Sequence, residues 1–323
     1  MAKSSLELLR AFATLQAIMK RFLAGLIALM LTSGSAFTAE TFRVATYNVE
    51  NYLDQPTESR HTVKSDIARA KIRESIKAIN PDVLALEEMG STNALLELRA
   101  SLQAEGCDFP YWEHVSSYDT NIHVAVLSKL PITARRPHTN DFFLLDGRRF
   151  QVKRGFAEVD IQAATNFTFT LIAAHLKSRL VSAETDESAQ RLEEAKVLRG
   201  IIDARLAANP NACLVVLGDF NDTHNTPSTR AIIGQGKARL FDVRPAERNG
   251  DNLPNPNPRY EPINITWTHY FGIEDSYSRI DYILLSPAMR KYWVKEDTYI
   301  ATIPNWGIGS DHRPIMAGFS TEN

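Results

Sequence analysis

From residue 42 onward, the chain repeatedly offers a short apolar run that ends in, or leads into, a carboxylate, an amide or an imidazole. Runs 42–49, 82–86, 123–127, 167–174, 214–217 and 280–285 are short, often β-branched, and bounded by Gly, Pro, Asn or Asp, so they read as strands. Helical stretches lie between them. Residues 65–79 set Ile72, Ile76 and Ile79 at i, i+4 and i+7, with Ser65 as the cap and Pro81 barring continuation through Asn80. Residues 185–208 read as a second helix, capped by Thr185, with Asp186 and Glu187 in its first turn and Leu192, Ala195, Leu198, Ile201 and Ile202 as its buried stripe. Residues 252–262 read as a loop, since Pro254, Pro256, Pro258 and Pro262 block regular pairing. The pattern is α/β, and nothing marks a linker, so 41–323 is expected to form a single catalytic domain. Hydrophobic residues make up 44% of the chain, enough for one large core. With no repeat and no low-complexity tract, solenoids and disordered scaffolds are excluded.

Strand ends are where α/β folds present functional groups. Residues 44–51 close on Asn48, either a turn residue or a neutral oxygen at a pocket mouth. The run 82–89 ends in Glu87 and Glu88. Adjacent strand residues point to opposite faces, so one is expected to ligate a hard cation and the other to be a bystander. His175 follows a strand and shares its face with Lys177, a pairing that suits a phosphate. Residues 215–222 break at Gly218 and set Asp219 and Asn221 on one side, where a carboxylate and an amide can hold an attacking water and polarise a phosphoryl oxygen. Asp281 lies in the run 278–283 and His312 in 309–314. Asp281 can fix the imidazole tautomer of His312 by hydrogen bonding. Arg154 is a candidate phosphate contact, with an ordinary surface arginine as the alternative. The other histidines, His61, His114, His123, His138, His224 and His269, match no motif.

The N-terminus reads differently. Lys20 and Arg21 precede an apolar run at 22–31, followed by Thr32, Ser33, Gly34, Ser35 and Ala36. A basic start, ten apolar residues and a small-residue exit describe a secretory signal peptide over 19–36, too short for a membrane span. Met19 is then the expected start, with 1–18 a spurious extension, and the mature protein is expected to be secreted or periplasmic. A buried apolar helix is the alternative. The formal net charge is −2, and loss of the first 36 residues removes four basic residues and one acidic. An acidic protein has no global pull on nucleic acid, so phosphate attraction must come from local cations or a bound metal. Two cysteines, Cys107 and Cys213, are too few for a disulfide framework and lack zinc spacing.

Taken in order, Asn48, the Glu87–Glu88 pair, the His175 segment, Gly218-Asp219-Phe220-Asn221, Arg279-Ile280-Asp281-Tyr282 and Ser310-Asp311-His312 resemble the motif series of the endonuclease/exonuclease/phosphatase superfamily. The resemblance spans 44–314. It implies a four-layer α/β sandwich, two packed mixed β-sheets flanked by helices, with the site at one rim. It further implies a divalent-metal-dependent phosphoesterase using Mg²⁺ or Mn²⁺. Glu88 would be the principal ligand, because the family usually has Gln where Glu87 stands; Asn48 would assist and Asp311 would lie near the ion. Asp219 would orient the water, Asn221 and His175 would contact the phosphate, and either Asp219 or Asp281-supported His312 would be the base. The segment His175-Leu176-Lys177-Ser178 is similar to secreted bacterial nucleases of this superfamily, so the expected partner is nucleic acid, with a monomer and no stable membrane anchor. A sphingomyelinase-like lipid phosphodiesterase and an inactive binding module are the competing readings. Trp267, Tyr270 and Phe271 can stack on bases, dip into lipid, or be core.

Overall fold

The computed structural model describes residues 40–180, 185–248 and 265–322. The expected signal peptide and the proline-rich loop 252–262 lie outside the described residues. Strands follow the chain as β1 (Thr41–Tyr52), β2 (Val83–Met89), β3 (Tyr111–Val115), β4 (His123–Ser128), β5 (Ile132–His138), β6 (Phe142–Leu145), β7 (Arg148–Gln151), β8 (Phe156–Ala164), β9 (Phe167–His175), β10 (Leu214–Asp219), β11 (Phe241–Asp242), β12 (Ala246–Glu247), β13 (His269–Phe271), β14 (Ser276–Ser278), β15 (Asp281–Leu285), β16 (Trp293–Ile300) and β17 (Ile315–Ser320). Among the described residues four α-helices accompany them: α1 (Asp66–Ile79), α2 (Thr92–Ala104), α3 (Glu187–Ala208) and α4 (Pro227–Ile233).

Among the described residues two large mixed sheets result, beside the separate two-stranded pairs β6-β7 and β13-β14. One runs β12-β16-β17-β1-β2-β4-β3 and the other β11-β15-β10-β9-β8-β5. Apolar residues on both faces of the central strands explain why neither sheet is left open to water. Val44, Val83, Ala85, Val215 and Leu217 pack in the core between the sheets. Their neighbours Ala45, Leu84 and Leu86 turn the other way, onto Ile72 and Ile76 of α1 and Leu95 and Leu98 of α2. Leu214 and Val216 likewise face Leu198 and Ile202 of α3 and Ile232 of α4. Alternation along each strand therefore builds three apolar layers and the expected helix–sheet–sheet–helix sandwich.

Local details depart from expectation. Ser65 caps α1 by accepting from the Ala68 amide, as its position suggests, and Asn80 closes the helix in the left-handed region. The cap of α3 is Asp186, not Thr185: its carboxylate accepts from the Ser188 and Ala189 amides, a stronger acceptor one residue later. The buried stripe of α3 is partly polar. Arg191 and Glu194 are buried where Leu192 is not. Glu194 accepts from the Lys177 amide at 2.7 Å, and Arg191 donates to the Lys177 carbonyl at 3.1 Å, so the helix clamps the end of β9. Cys107 and Cys213 are both free thiols.

Candidate active site

Strand register assembles the polar ends. In the first sheet Asn48 lies opposite Glu87, and in the second His175, Asp219 and Asp281 form one cross-strand row. β10 does not break at Gly218 as the sequence reading expected; it stays paired through Asp219. Glycine makes that possible. Gly218 has φ +128°, and a Cβ there would sit 2.0 Å from the Ala174 carbonyl oxygen.

Asp219 Oδ2 is the meeting point. Asn48 Nδ2 donates to it at 3.0 Å and Asn221 Nδ2 at 3.3 Å, while the Asn221 amide donates to Oδ1 at 2.8 Å. His175 Nε2 lies 3.5 Å and His312 Nε2 3.7 Å from the same Oδ2. Asn221 joins Asp219, although not through strand alternation: it follows the strand in a left-handed turn at φ +55°, with its side-chain Nδ2 also donating to the Leu176 carbonyl at 3.0 Å. His312 Nδ1 is 2.9 Å from Asp281 Oδ2, and Ser310 ties this segment to the Asn48 carbonyl at 2.7 Å.

The Glu87–Glu88 pair breaks the alternation rule. Glu88 sits at φ +59° in a bulge, which turns its carboxylate to the rim: Oε1 meets Asn48 Nδ2 at 3.4 Å and lies 4.0 Å from His175, and Oε2 accepts from the Asn51 amide at 3.0 Å. Glu87 is no solvated bystander. It is fully buried, accepts from Thr46 at 2.6 Å, and burial holds its carboxyl well above the usual range. Asn48 offers its Nδ2 to both acids while its Oδ1 accepts from the Glu50 amide, so in this arrangement it holds the carboxylates in place.

The two candidate cations take other places. Lys177 Nζ donates to the Ser178 and Leu180 carbonyls, which fixes the loop, and Arg154 is buried, donating to the Leu176 carbonyl at 2.7 Å. Arg154 is therefore not the surface arginine considered as its alternative. Residues without a motif also reach the rim. Glu50, Arg60 and His269 converge there, the last with its ring 4.5 Å from that of His312 and its Nε2 3.5 Å from Asp311 Oδ2. The sequence signal for His269 is its position after the alternating stretch Ile265-Thr266-Trp267-Thr268, which is too common to single it out. Trp267, Tyr270 and Phe271 are half-exposed, not core.

Charge follows from this crowding. Burial, offset in part by His312 and reinforced by Asp281, pushes Asp219 up to about 6. Burial and then Asp311 raise Glu50. Burial disfavours a charged His312, but Asp281 and Asp219 on either side hold it well above the usual histidine range. His175 goes the other way: burial, then Arg154, hold it well below, so it is neutral, and neither ring nitrogen has a hydrogen-bond partner among the described residues. Carboxylates outnumber cations here, and Glu88 and Asp219 share the Asn48 side-chain amide, oxygen donors that suit a hard divalent cation; among the described residues the His, Asp and Glu ligand atoms that approach within 4.8 Å in threes are those of Asp219–Asp281–His312 and His269–Asp311–His312, without Glu88.

Two mixed sheets bringing an asparagine, an acid, a histidine and an Asp–His pair to one rim define an α/β-sandwich phosphoesterase. Residues 45–312 match the Endonuclease/Exonuclease/phosphatase family, and the chain belongs to that family. Its members hydrolyse phosphoester bonds and generally depend on a divalent metal. No curated protein matches the chain in sequence. Among solved structures, beta toxin from Staphylococcus aureus aligns at TM-score 0.60 and 18% identity, over 85% of this chain and 99% of that one. The catalytic domain of human Nocturnin aligns at 0.60 and 15%, over 88% and 95%. Sphingomyelinase C from Streptomyces griseocarneus aligns at 0.57 and 18%, over 86% and 99%. At these identities the likeness is one of fold.

Proposed function

We propose that the protein is an exported, divalent-metal-dependent phosphodiesterase, with a nuclease as the favoured form. The convergence of Asn48, Asn221, His175 and His312 on one oxygen of Asp219 carries the reading. A phosphodiester is anionic and repels an incoming hydroxide, so a site must both deprotonate water and neutralise the developing charge. Asp219 accepts the proton of the attacking water, and the two amides keep its carboxylate aimed. His312, held cationic and oriented by Asp281, donates to a phosphoryl or leaving oxygen; this division assigns the base to Asp219. Neutral His175 contacts the phosphate. A bound Mg²⁺ or Mn²⁺ would supply Lewis-acid charge at Glu88, Asp311 and Asp219.

The nuclease form is favoured by a run of rings at the rim. Trp267 and Tyr270 each lie 4.8 Å from Tyr277, which is 56% exposed, an arrangement suited to stacking on bases. One observation favours a lipid phosphodiester instead: Ile273, between β13 and β14, is 88% exposed. A panel of plasmid DNA, RNA, sphingomyelin, inositol phosphates and p-nitrophenyl esters, with and without chelator, decides. Asp219→Asn and His312→Ala should fold and lose at least ~100-fold in turnover. Near-wild-type rates in either would end the assignment. Export rests on the pattern at 19–36; N-terminal sequencing of the exported protein that still found residue 20 would overturn it.

A further inference from the structure

The strand pairing that positions His312 also brings in a histidine outside the hydrolytic set. β13 runs antiparallel to the segment 311–313. The Tyr270 amide donates to the Asp311 carbonyl at 3.0 Å and the Arg313 amide to the Thr268 carbonyl at 2.7 Å. His269 is thereby set directly opposite His312. Between them stands Asp311, with Oδ2 3.5 Å from His269 Nε2 and Oδ1 3.9 Å from His312 Nε2. One ligand atom from each residue lies within 4.8 Å of the others.

We propose that His269, Asp311 and His312 form a second cation site, selective for Zn²⁺, whose occupation inhibits the enzyme. Two imidazole nitrogens and one carboxylate are the donors of an open zinc site, with the fourth position left to water. Nitrogen donors favour zinc over Mg²⁺, which takes oxygen ligands and gives up its waters reluctantly. The oxygen-rich face at Glu88 has the opposite preference, so one rim holds two sites of different chemistry.

An independent feature supports the site. Metal-binding histidines characteristically direct the other ring nitrogen to a carboxylate, which aims the ligating one. His312 does so through Nδ1 to Asp281 Oδ2 at 2.9 Å, leaving Nε2 free of that carboxylate, 3.9 Å from Asp311 Oδ1 and 3.7 Å from Asp219 Oδ2. The Asp311 side chain is 41% exposed, so an ion reaches the site from solvent. Zinc bound here displaces the Nε2 proton of His312 to solvent, and so takes the nitrogen with which His312 faces Asp219, together with a carboxylate from the hydrolytic centre. Occupation therefore inhibits.

The inhibitory consequence rests on the phosphodiesterase reading; the binding does not. The test uses chelator-stripped full-length protein, titrated with Zn²⁺ by calorimetry in excess Mg²⁺, with Co²⁺ absorption as a report of nitrogen ligation. Wild type should bind a single Zn²⁺ that Mg²⁺ does not displace. His269→Asn should weaken it at least ~tenfold, the scale of losing support at a metal site, and raise the half-inhibiting zinc concentration by a similar factor. Inhibition is read against each protein's own zinc-free turnover, so any change in the Mg²⁺-supported rate divides out. Equal zinc affinity in the two proteins overturns the site, and equal inhibition overturns its role. If no substrate is turned over, the functional reading fails while the calorimetry still decides the site. His269→Gln serves if the asparagine variant does not fold.

Discussion

Replacing Gly218 with alanine probes how β10 delivers Asp219. The new Cβ would lie 2.0 Å from the Ala174 carbonyl oxygen, where real contacts essentially never fall below 3.0 Å. β9 and β10 must therefore separate locally by about 1 Å, and the alanine must also hold φ +128°, a region that costs ~1–3 kcal/mol for a side-chain-bearing residue. Together these give a loss of about 3 kcal/mol, or ~6–12 °C in melting temperature for a domain of this size. The catalytic loss should be larger. His175 and Asp219 flank the displaced pair in register, so the 3.5 Å gap between them widens, and a misplacement near 1 Å costs ~100-fold in rate. Thermal denaturation and hydrolysis of a chromogenic phosphodiester measure both. A Gly218→Ala protein with wild-type melting and turnover would refute the close-approach argument.

Other consequences are open to measurement. Asp219 titrates near 6 in the folded protein against 3.8 for the free group, so the fold binds its proton more tightly. Its contribution to stability is thus complete below about pH 4 and is lost as pH rises through 6. Metal-free Asp219→Asn should therefore melt higher than wild type at pH 7, the difference vanishing toward pH 4; a pH-independent difference would contradict the assigned shift. Ser65→Ala should cost about 1 kcal/mol by denaturant titration, since it removes the side-chain acceptor for the Ala68 amide and nothing else. Chelation should abolish turnover, with Mg²⁺ or Mn²⁺ restoring it; full activity in excess chelator would remove the metal from the reaction.

Much of the sandwich was legible because it rests on alternation: Val44 against Ala45 and Val215 against Val216 are each apolar on both sides, the pattern of a strand covered on both faces. The pairing of His312 with Asp281 was legible too, through a histidine that needs a carboxylate to fix its tautomer and an aspartate at the start of an apolar run. What escaped was backbone that leaves the regular repeat. Glu88 and Asn221 occupy left-handed conformations that period-two reasoning cannot foresee, so their directions came out wrong or right for the wrong cause. His269 escaped for a different reason, since its place is fixed by pairing with residues more than 40 positions away.

Asn48 and Glu88 are anchored in one sheet and His175, Asp219 and Asp281 in the other, so the packing of residues such as Val44, Ala85, Leu171 and Val215 between the sheets sets the distance that the Asn48–Asp219 hydrogen bond must span. The reaction centre is thus a gauge of how the two halves mesh. A volume change deep between the layers, such as Leu171→Ala, alters the separation of groups that never touch it. Such changes will present as impaired chemistry in a folded protein, and a screen for inactive variants will recover apolar residues far from the rim alongside the acids and histidines.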